Sequence, residues 1–421
     1  MGNKNIGFVS TRFAGVDGVT MEASKWSKVL EESGHRSFWF AGELDREPEE
    51  SLLVPEAHFQ SEQNKWINEH IFSRKGRLPA VTEMIYSIKS LLAVKLREFI
   101  NRFSIDLLIV ENALTLPLQI PLGIALTEII AETQIPTIAH HHDFYWERTR
   151  FSATSVGDYL RMAFPPNLPS IEHVVINSAA QEELALRTGV SSTIIPNVLD
   201  FGNPLFEEEK RLDGFRESIG LGPEDIIILQ PTRIIQRKGI EHAIELVGSL
   251  KNPNYKLVIS HEAGDEGFEY AEWLKEEARN HGVDLRLIDT RLADPINDKK
   301  RRSDQYSLWK IYPHADFITY PSLYEGFGNA FLEAIYFKKP LLINRYAIFV
   351  RDIEPKEFDL VVMDGFLTSK NVKMVKEILE SPSRREQMVE RNYEIATRHY
   401  SYAVLRKQLS NLLMKFFGIS N

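Results

Sequence analysis

Ten short runs dominated by Ile, Val, Leu and Phe punctuate the chain, and the stretches between them carry apolar residues at helical spacing. The first half holds IGFVS (6–10), RSFWF (36–40), DLLIV (106–110), PTIAH (136–140) and HVVIN (173–177). The second half holds DIIILQ (225–230), YKLVIS (255–260), DLRLID (284–289), DFITY (316–320) and PLLIN (340–344). Runs without an alternating polar face suit strands buried on both sides, and helices between them make βαβ units. The pattern occurs twice, which predicts an α/β protein of two doubly wound, Rossmann-like domains rather than one large sheet. Pro, Asn and Gly cluster in IIPNVLDFGNPL (194–205) and set the boundary: residues 1–200 form the first domain and 201–399 the second. The tail from 383 to 417 reads as helix, with Leu405, Leu409, Leu412 and Phe416 on one face. Residues 80–103 form an amphipathic helix whose simplest use is to cover the first sheet, with a membrane-surface or partner helix as the alternative.

At 421 residues the chain exceeds a single ordinary core, in keeping with two domains. Hydrophobic residues make up 43% and charged residues 26%, a soluble globular composition. No apolar run reaches membrane-spanning length, and MGNKNIGFVST enters a strand pattern without a secretory segment, so a cytoplasmic location is expected. There is no cysteine, hence no disulfide framework and no thiolate metal site. Residues 1–200 carry 18 basic and 25 acidic side chains, and the remainder 32 and 34. An acidic first half is a poor partner for nucleic acid or an anionic bilayer and favours a small or neutral second substrate; no nucleic-acid partner is expected, and membrane association stays open but is not indicated.

Open α/β sheets bind ligands beyond the carboxyl ends of their strands, in the crevice between paired domains, so the loops after strands carry the chemistry. After the first strand, STRFAGVDGVTMEASKW brings Gly15 and Gly18 to a helix start that offers amide groups to an anion. Its glycines lack the dinucleotide-binding spacing. In the second domain, QPTRIIQRKGIEHAIELV sets Arg233 and Lys238 between a strand and a helix, a charge arrangement suited to a diphosphate. Arg237 is the cation expected to face solvent. HHHD (140–143) has metal-binding side chains, but three consecutive histidines on a strand cannot all face one ion, and DEGFE (265–269) reads as flanking a helix. No metal site is expected.

The most informative stretch is PSLYEGFGNAFLEAIYFKKP (321–340). Glu325 lies in a Gly-rich turn and Glu333 within an almost wholly apolar helix. Asn329 is the expected N-cap, which leaves Glu333 one residue too late to close a capping box. Buried carboxylates need partners. The pattern leads us to expect a ligand, rather than a basic side chain, beside both acids, with the 326–329 amides at the helix entrance.

This segment resembles family 4 glycosyltransferases of the GT-B fold, through the E-x7-E signature Glu325-GFGNAFL-Glu333, the Arg233 and Lys238-Gly239 pair, and the glycine-rich first loop with Gly15 and Gly18. The resemblance spans essentially the whole chain. It implies two Rossmann-like domains facing a central cleft, with a C-terminal helix (about 400–421) crossing back to the first domain. It implies a retaining, metal-independent hexosyltransferase, with no cofactor beyond a nucleotide diphosphate sugar donor and with a sugar-containing or small polar acceptor, as in carbohydrate biosynthesis. Residue by residue, Glu333 would accept from the ribose hydroxyls. Glu325 would hold the hexose with the amides of Phe327, Gly328 and Asn329. Arg233 and Lys238 would neutralise the diphosphate. A histidine after this first-domain strand contacts the donor sugar in the family, which brings in His141 or His142 with Asp143 as neighbour; Arg148 and Arg150 are candidates for a charged acceptor. Two departures stand out: the first-loop glycines are separated by Val16-Asp17, and the first domain is acidic. A nucleotide-sugar 2-epimerase and a non-catalytic nucleotide-sugar-binding protein share the architecture and are the competing readings.

Overall fold

The computed structural model describes residues 2–15, 17–203, 214–260, 268–288 and 308–418. The chain divides into two compact units, Met1–Pro196 with Leu405–Asn421, and Asn197–Val404.

In the first unit, seven strands lie in the order β3-β2-β1-β4-β5-β6-β7 and all pair in parallel. They are β1 (Asn5–Val9), β2 (Arg36–Ala41), β3 (Ser51–Leu53), β4 (Leu107–Glu111), β5 (Thr137–His141), β6 (Ile171–Val175) and β7 (Ser192–Ile194). The five long strands fall within two residues of their expected positions, while the three-residue edge strands β3 and β7 were missed. Edge strands of that length carry no periodic signal of their own; pairing with a neighbour defines them. The helix Pro79–Arg102 buries Val81, Ile85, Ile88, Leu92, Leu96 and Phe99 in the core of this unit, so its apolar face covers the sheet.

The second unit has six parallel strands in the order β10-β9-β8-β11-β12-β13. These are β8 (Ile226–Gln230), β9 (Tyr255–Ile259), β10 (Asp284–Leu287), β11 (Phe317–Tyr320), β12 (Leu341–Asn344) and the unforeseen β13 (Val361–Met363). In both sheets the strand order reverses direction beside the first strand of the unit, and the loops that leave the sheet there are placed side by side. The acids of 265–267 and the last residue of the expected 284–289 strand lie outside the described residues.

The tail is two helices rather than one, Pro382–Tyr400 and Tyr402–Phe417, broken at Ser401, whose φ of −92° and ψ of 164° are extended. The break falls where the chain passes back to the first unit. There Leu405, Leu409, Leu412 and Leu413 are buried, and Lys415 donates to Glu172 at 2.6 Å. Leu413 takes the place expected for Phe416, which is only half-buried. Among the described residues no helix is both long and apolar enough to cross a membrane.

Candidate active site

In the second unit β8 and β11 are hydrogen-bonded neighbours, so the loops at their carboxyl ends meet. Leu323 N donates to the Arg237 carbonyl at 2.9 Å, and Arg237 Nη1 donates to the Tyr324 carbonyl at 3.0 Å. Beneath them Thr319 Oγ1 donates to Gln230 Oε1 (2.7 Å) and Gln230 Nε2 donates to Thr232 Oγ1 (2.8 Å), which satisfies the buried polar groups at the strand ends. Gly239 has φ +60°, and a Cβ there would stand 2.6 Å from the Pro321 carbonyl oxygen. Only glycine lets the two loops approach so closely.

This stitching brings Lys238 and Glu325, both buried, into an ion pair, with Arg237 Nη1 3.4 Å from the other carboxylate oxygen. The expectation of a ligand in place of a basic partner is therefore corrected for Glu325. Lys238 is its counter-ion, because adjacent parallel strands deliver both loops to one spot. Burial alone would raise the Glu325 carboxyl, but the Lys238 ammonium, helped by Arg237, carries it below its ordinary value. Burial lowers Lys238, and Glu325 offsets this only in part, because Arg237 and Arg233 push the same way. Arg233 is exposed at the same turn and has no ion pair among the described residues. Three cations share this turn with one carboxylate, which leaves an excess of positive charge for an anion. Arg237, expected to face solvent, is half-exposed and belongs to the cluster.

Glu333 is half-buried on the helix Asn329–Tyr336 and accepts from the Tyr312 hydroxyl at 2.8 Å. This phenol, which the sequence did not single out, gives Glu333 a neutral partner within the protein. The cap of that helix is Gly328, not Asn329. Gly328 adopts φ +116°, and Asn329 instead begins the helix and accepts from Asn197 Nδ2 at 2.7 Å. Tyr346 donates its hydroxyl to the Phe327 carbonyl at 2.8 Å and fixes the turn from below. A surface depression of about 420 Å³ lined by Asp316, Lys338, Pro340 and Arg385 lies at the amino ends of β11 and β12, the wrong edge of the sheet for this chemistry.

In the first unit the glycine loop is already occupied by protein carboxylates. Asp17 caps the helix Gly18–Glu32, accepting from Val19 N (3.0 Å) and Thr20 N (3.1 Å), while Gly15 N donates to Asp45 Oδ2 at 3.0 Å. The expected free amides beside Gly15 and Gly18 are thus corrected: the acid between the two glycines takes the anion's place, and Arg12 pairs with it at 3.0 Å.

His141 is wholly buried, and its Nε2 lies 2.9 Å from Nδ1 of the buried His173, one ring donating to the other. The reading of His141 as the sugar-facing histidine is corrected. Side chains alternate along β5, so His140 and His142 share the opposite side, and His142 is the more accessible of the two. Both meet Glu111, the last residue of β4, with His140 Nδ1 3.0 Å and His142 Nε2 2.9 Å from its Oε2. Burial would raise the Glu111 carboxyl, but the imidazoles bring it down to about 2. Burial opposes the His142 imidazolium, and Glu111 outweighs it and raises this pKa. Glu111 escaped notice in the sequence; the signal was an acid ending a wholly apolar strand run. Beyond this strand Arg148 pairs with Asp143 at 2.6 Å, and the Arg150 guanidinium lies 4.4 Å from the centre of the Phe151 ring.

The His141–His173 pair makes a pH prediction. Burial holds His173 at about 4, below the 6.5 expected of the unfolded chain. Protons then bind the unfolded state more readily, so the contribution is complete above pH 6.5, declines as pH falls toward 4 and is lost below. The shift corresponds to about 3 kcal/mol. Thermal unfolding followed from pH 7 to pH 4 should show this decline, and His173→Leu should flatten it.

Residues 213–395 match the model of the family described as glycosyl transferases group 1. Over 94% of its length the chain is 32% identical to mannosylglucosylglycerate synthase of Thermotoga maritima, of which 96% is covered. The chain is a group 1 glycosyltransferase. Solved structures agree on the fold: a Rickettsia africae glycosyltransferase superposes with a TM-score of 0.70 at 15% identity, both chains covered fully. Anabaena HepE, crystallised with UDP and glucose, gives 0.64 at 12% identity over 98% of this chain and all of the other. The two parallel-sheet units of this glycosyltransferase are thus the two Rossmann-like domains of a GT-B enzyme, and the Arg233, Lys238 and Glu325 cluster lies inside the matched segment.

Proposed function

We propose that this glycosyltransferase moves a hexosyl group, with retention of configuration, from a nucleoside diphosphate sugar to a hydroxyl of a small sugar-bearing hydroxy acid. The observation that carries the reading is the Lys238–Glu325 pair at the carboxyl ends of β8 and β11, with Arg233 near enough to act on the Lys238 ammonium. Arg233 and Lys238 face the diphosphate in place of a metal ion. As the glycosidic bond breaks, negative charge grows on the leaving phosphate, and fixed cations lower the barrier because they meet more charge in the transition state than in the ground state. Glu325, oriented by Lys238, accepts hydroxyls of the transferred hexose, the amides of Phe327, Gly328 and Asn329 face the same group, and Glu333 accepts from the ribose. The name of the Thermotoga relative supports a mannosyl donor and a glucosylglycerate acceptor, and the ligands of HepE support a nucleotide sugar.

The test is transfer from GDP-mannose and UDP-glucose to glucosylglycerate, with the product anomer read by NMR. An α-anomer from an α-donor is expected, at the same rate with and without added Mg²⁺. Glu325→Ala should lower the rate about 10²-fold or more. Unchanged turnover in that variant removes Glu325 from the site, and epimerisation of donor alone would replace transfer by the epimerase reading.

A further inference from the structure

Glu111, His140 and His142 form a side-chain cluster that the proposed transfer does not use. In the β4–β5 ladder Glu111 stands directly opposite His140, and His142, two residues on, returns to the same side. Their ligand-capable atoms all lie within 4.8 Å of one another. The two contacts from the carboxylate, 3.0 and 2.9 Å, are hydrogen-bond distances and are also close to the separation of ligands at right angles around an ion bound at about 2.1 Å. The surroundings are rigid. Trp26 stacks on His140 with ring centres 4.2 Å apart, and the His142 backbone N–H donates to Asn112 Oδ1 at 2.8 Å. Asn112 itself, the residue after β4, sits at φ +57°, in the left-handed region.

We infer that Glu111, His140 and His142 form a binding site for one divalent transition-metal ion at the carboxyl ends of β4 and β5. Two imidazoles with one carboxylate suit Zn²⁺, Mn²⁺ or Fe²⁺ and disfavour Mg²⁺ and Ca²⁺, which take oxygen ligands. The ion takes the place of the protons that bridge the carboxylate to the rings and ties two strand ends together, with water completing its coordination. The site belongs to the first unit, whereas the diphosphate cations belong to the second.

The experiment uses full-length protein without a histidine tag, stripped with chelator, then titrated with Zn²⁺ by calorimetry. Metal content after dialysis is measured by mass spectrometry. One equivalent per chain is expected, with a rise in Tm of several degrees and no such rise with Mg²⁺. Glu111→Gln and His142→Ala should each weaken binding at least tenfold, while the surface variant His281→Ala binds as wild type. Co²⁺ added to the wild-type protein supplies a measurement independent of the variants, through visible d–d bands on stoichiometric binding. Less than a tenth of an equivalent of zinc in wild type, absence of those bands, or unchanged binding in both folded variants overturns the inference and leaves the cluster a hydrogen-bond network.

Discussion

Lys238→Met should slow glycosyl transfer by about 10²–10³-fold and cost the second unit about 3–5 kcal/mol of stability. The two losses have different origins. Stability falls because Glu325 is buried and would lose its counter-ion, leaving Arg237 at 3.4 Å and half in solvent as a weak substitute. Activity falls because a fixed cation would be missing where the leaving phosphate gathers charge. The double variant Lys238→Met with Glu325→Gln separates them: removing both charges should recover most of the stability while the rate stays low. Calorimetric unfolding beside initial rates at saturating donor would measure both. A double variant as unstable as the single one would show that the pair does not hold these loops, and a double variant with wild-type rate would deny Lys238 any part in transfer.

Gly328→Ala is expected to be the most damaging substitution of a single hydrogen by a methyl group in the signature loop. At φ +116° an L side chain is strained whatever space surrounds it, and the new Cβ would stand 2.5 Å from the Tyr346 hydroxyl. That hydroxyl cannot retreat without leaving the Phe327 carbonyl to which it donates at 2.8 Å. Backbone strain of about 1–3 kcal/mol, together with about 1 kcal/mol for the hydrogen bond, should lower Tm by roughly 5–15 °C in a unit of this size. KM for the donor should rise with it, since the 327–329 amides move. Tyr346→Phe relieves the clash but not the strain, so Gly328→Ala in that background should be milder than in wild type. Equal damage in both backgrounds would place the whole effect in the backbone.

The two Rossmann-like units were legible because a strand buried on both faces must be apolar throughout, and ten such runs alternate with helical periodicity. The signature acids, the Arg233 and Lys238 turn and the flanking glycines stood out through their resemblance to a known family, because a basic turn or a lone acid after a strand is by itself more often structural. Hidden from the linear pattern were β3, β7 and β13, each three residues long and defined by a neighbour distant in sequence. The helix cap at Gly328 was assigned to Asn329 because composition ranks caps by side chain, whereas the turn selected the residue able to adopt positive φ.

Partnership was the province of the tertiary structure. Nothing local couples Lys238 to Glu325, 87 positions apart, or Glu111 to His142, 31 apart, or Tyr312 to Glu333. Each pair exists because parallel pairing or helix packing brings distant loops to one place. The alternation that sends His141 to one face of the sheet and keeps His140 and His142 together on the other is written in the period of two, but the partners they meet, His173 and Glu111, are settled only when β5 takes its place between β4 and β6. Residue types and their spacing along the chain therefore determined the fold class and the family chemistry. Strand order decided which charges neutralise one another, because electrostatic partners are chosen by distance in space and only the folded sheet sets that distance.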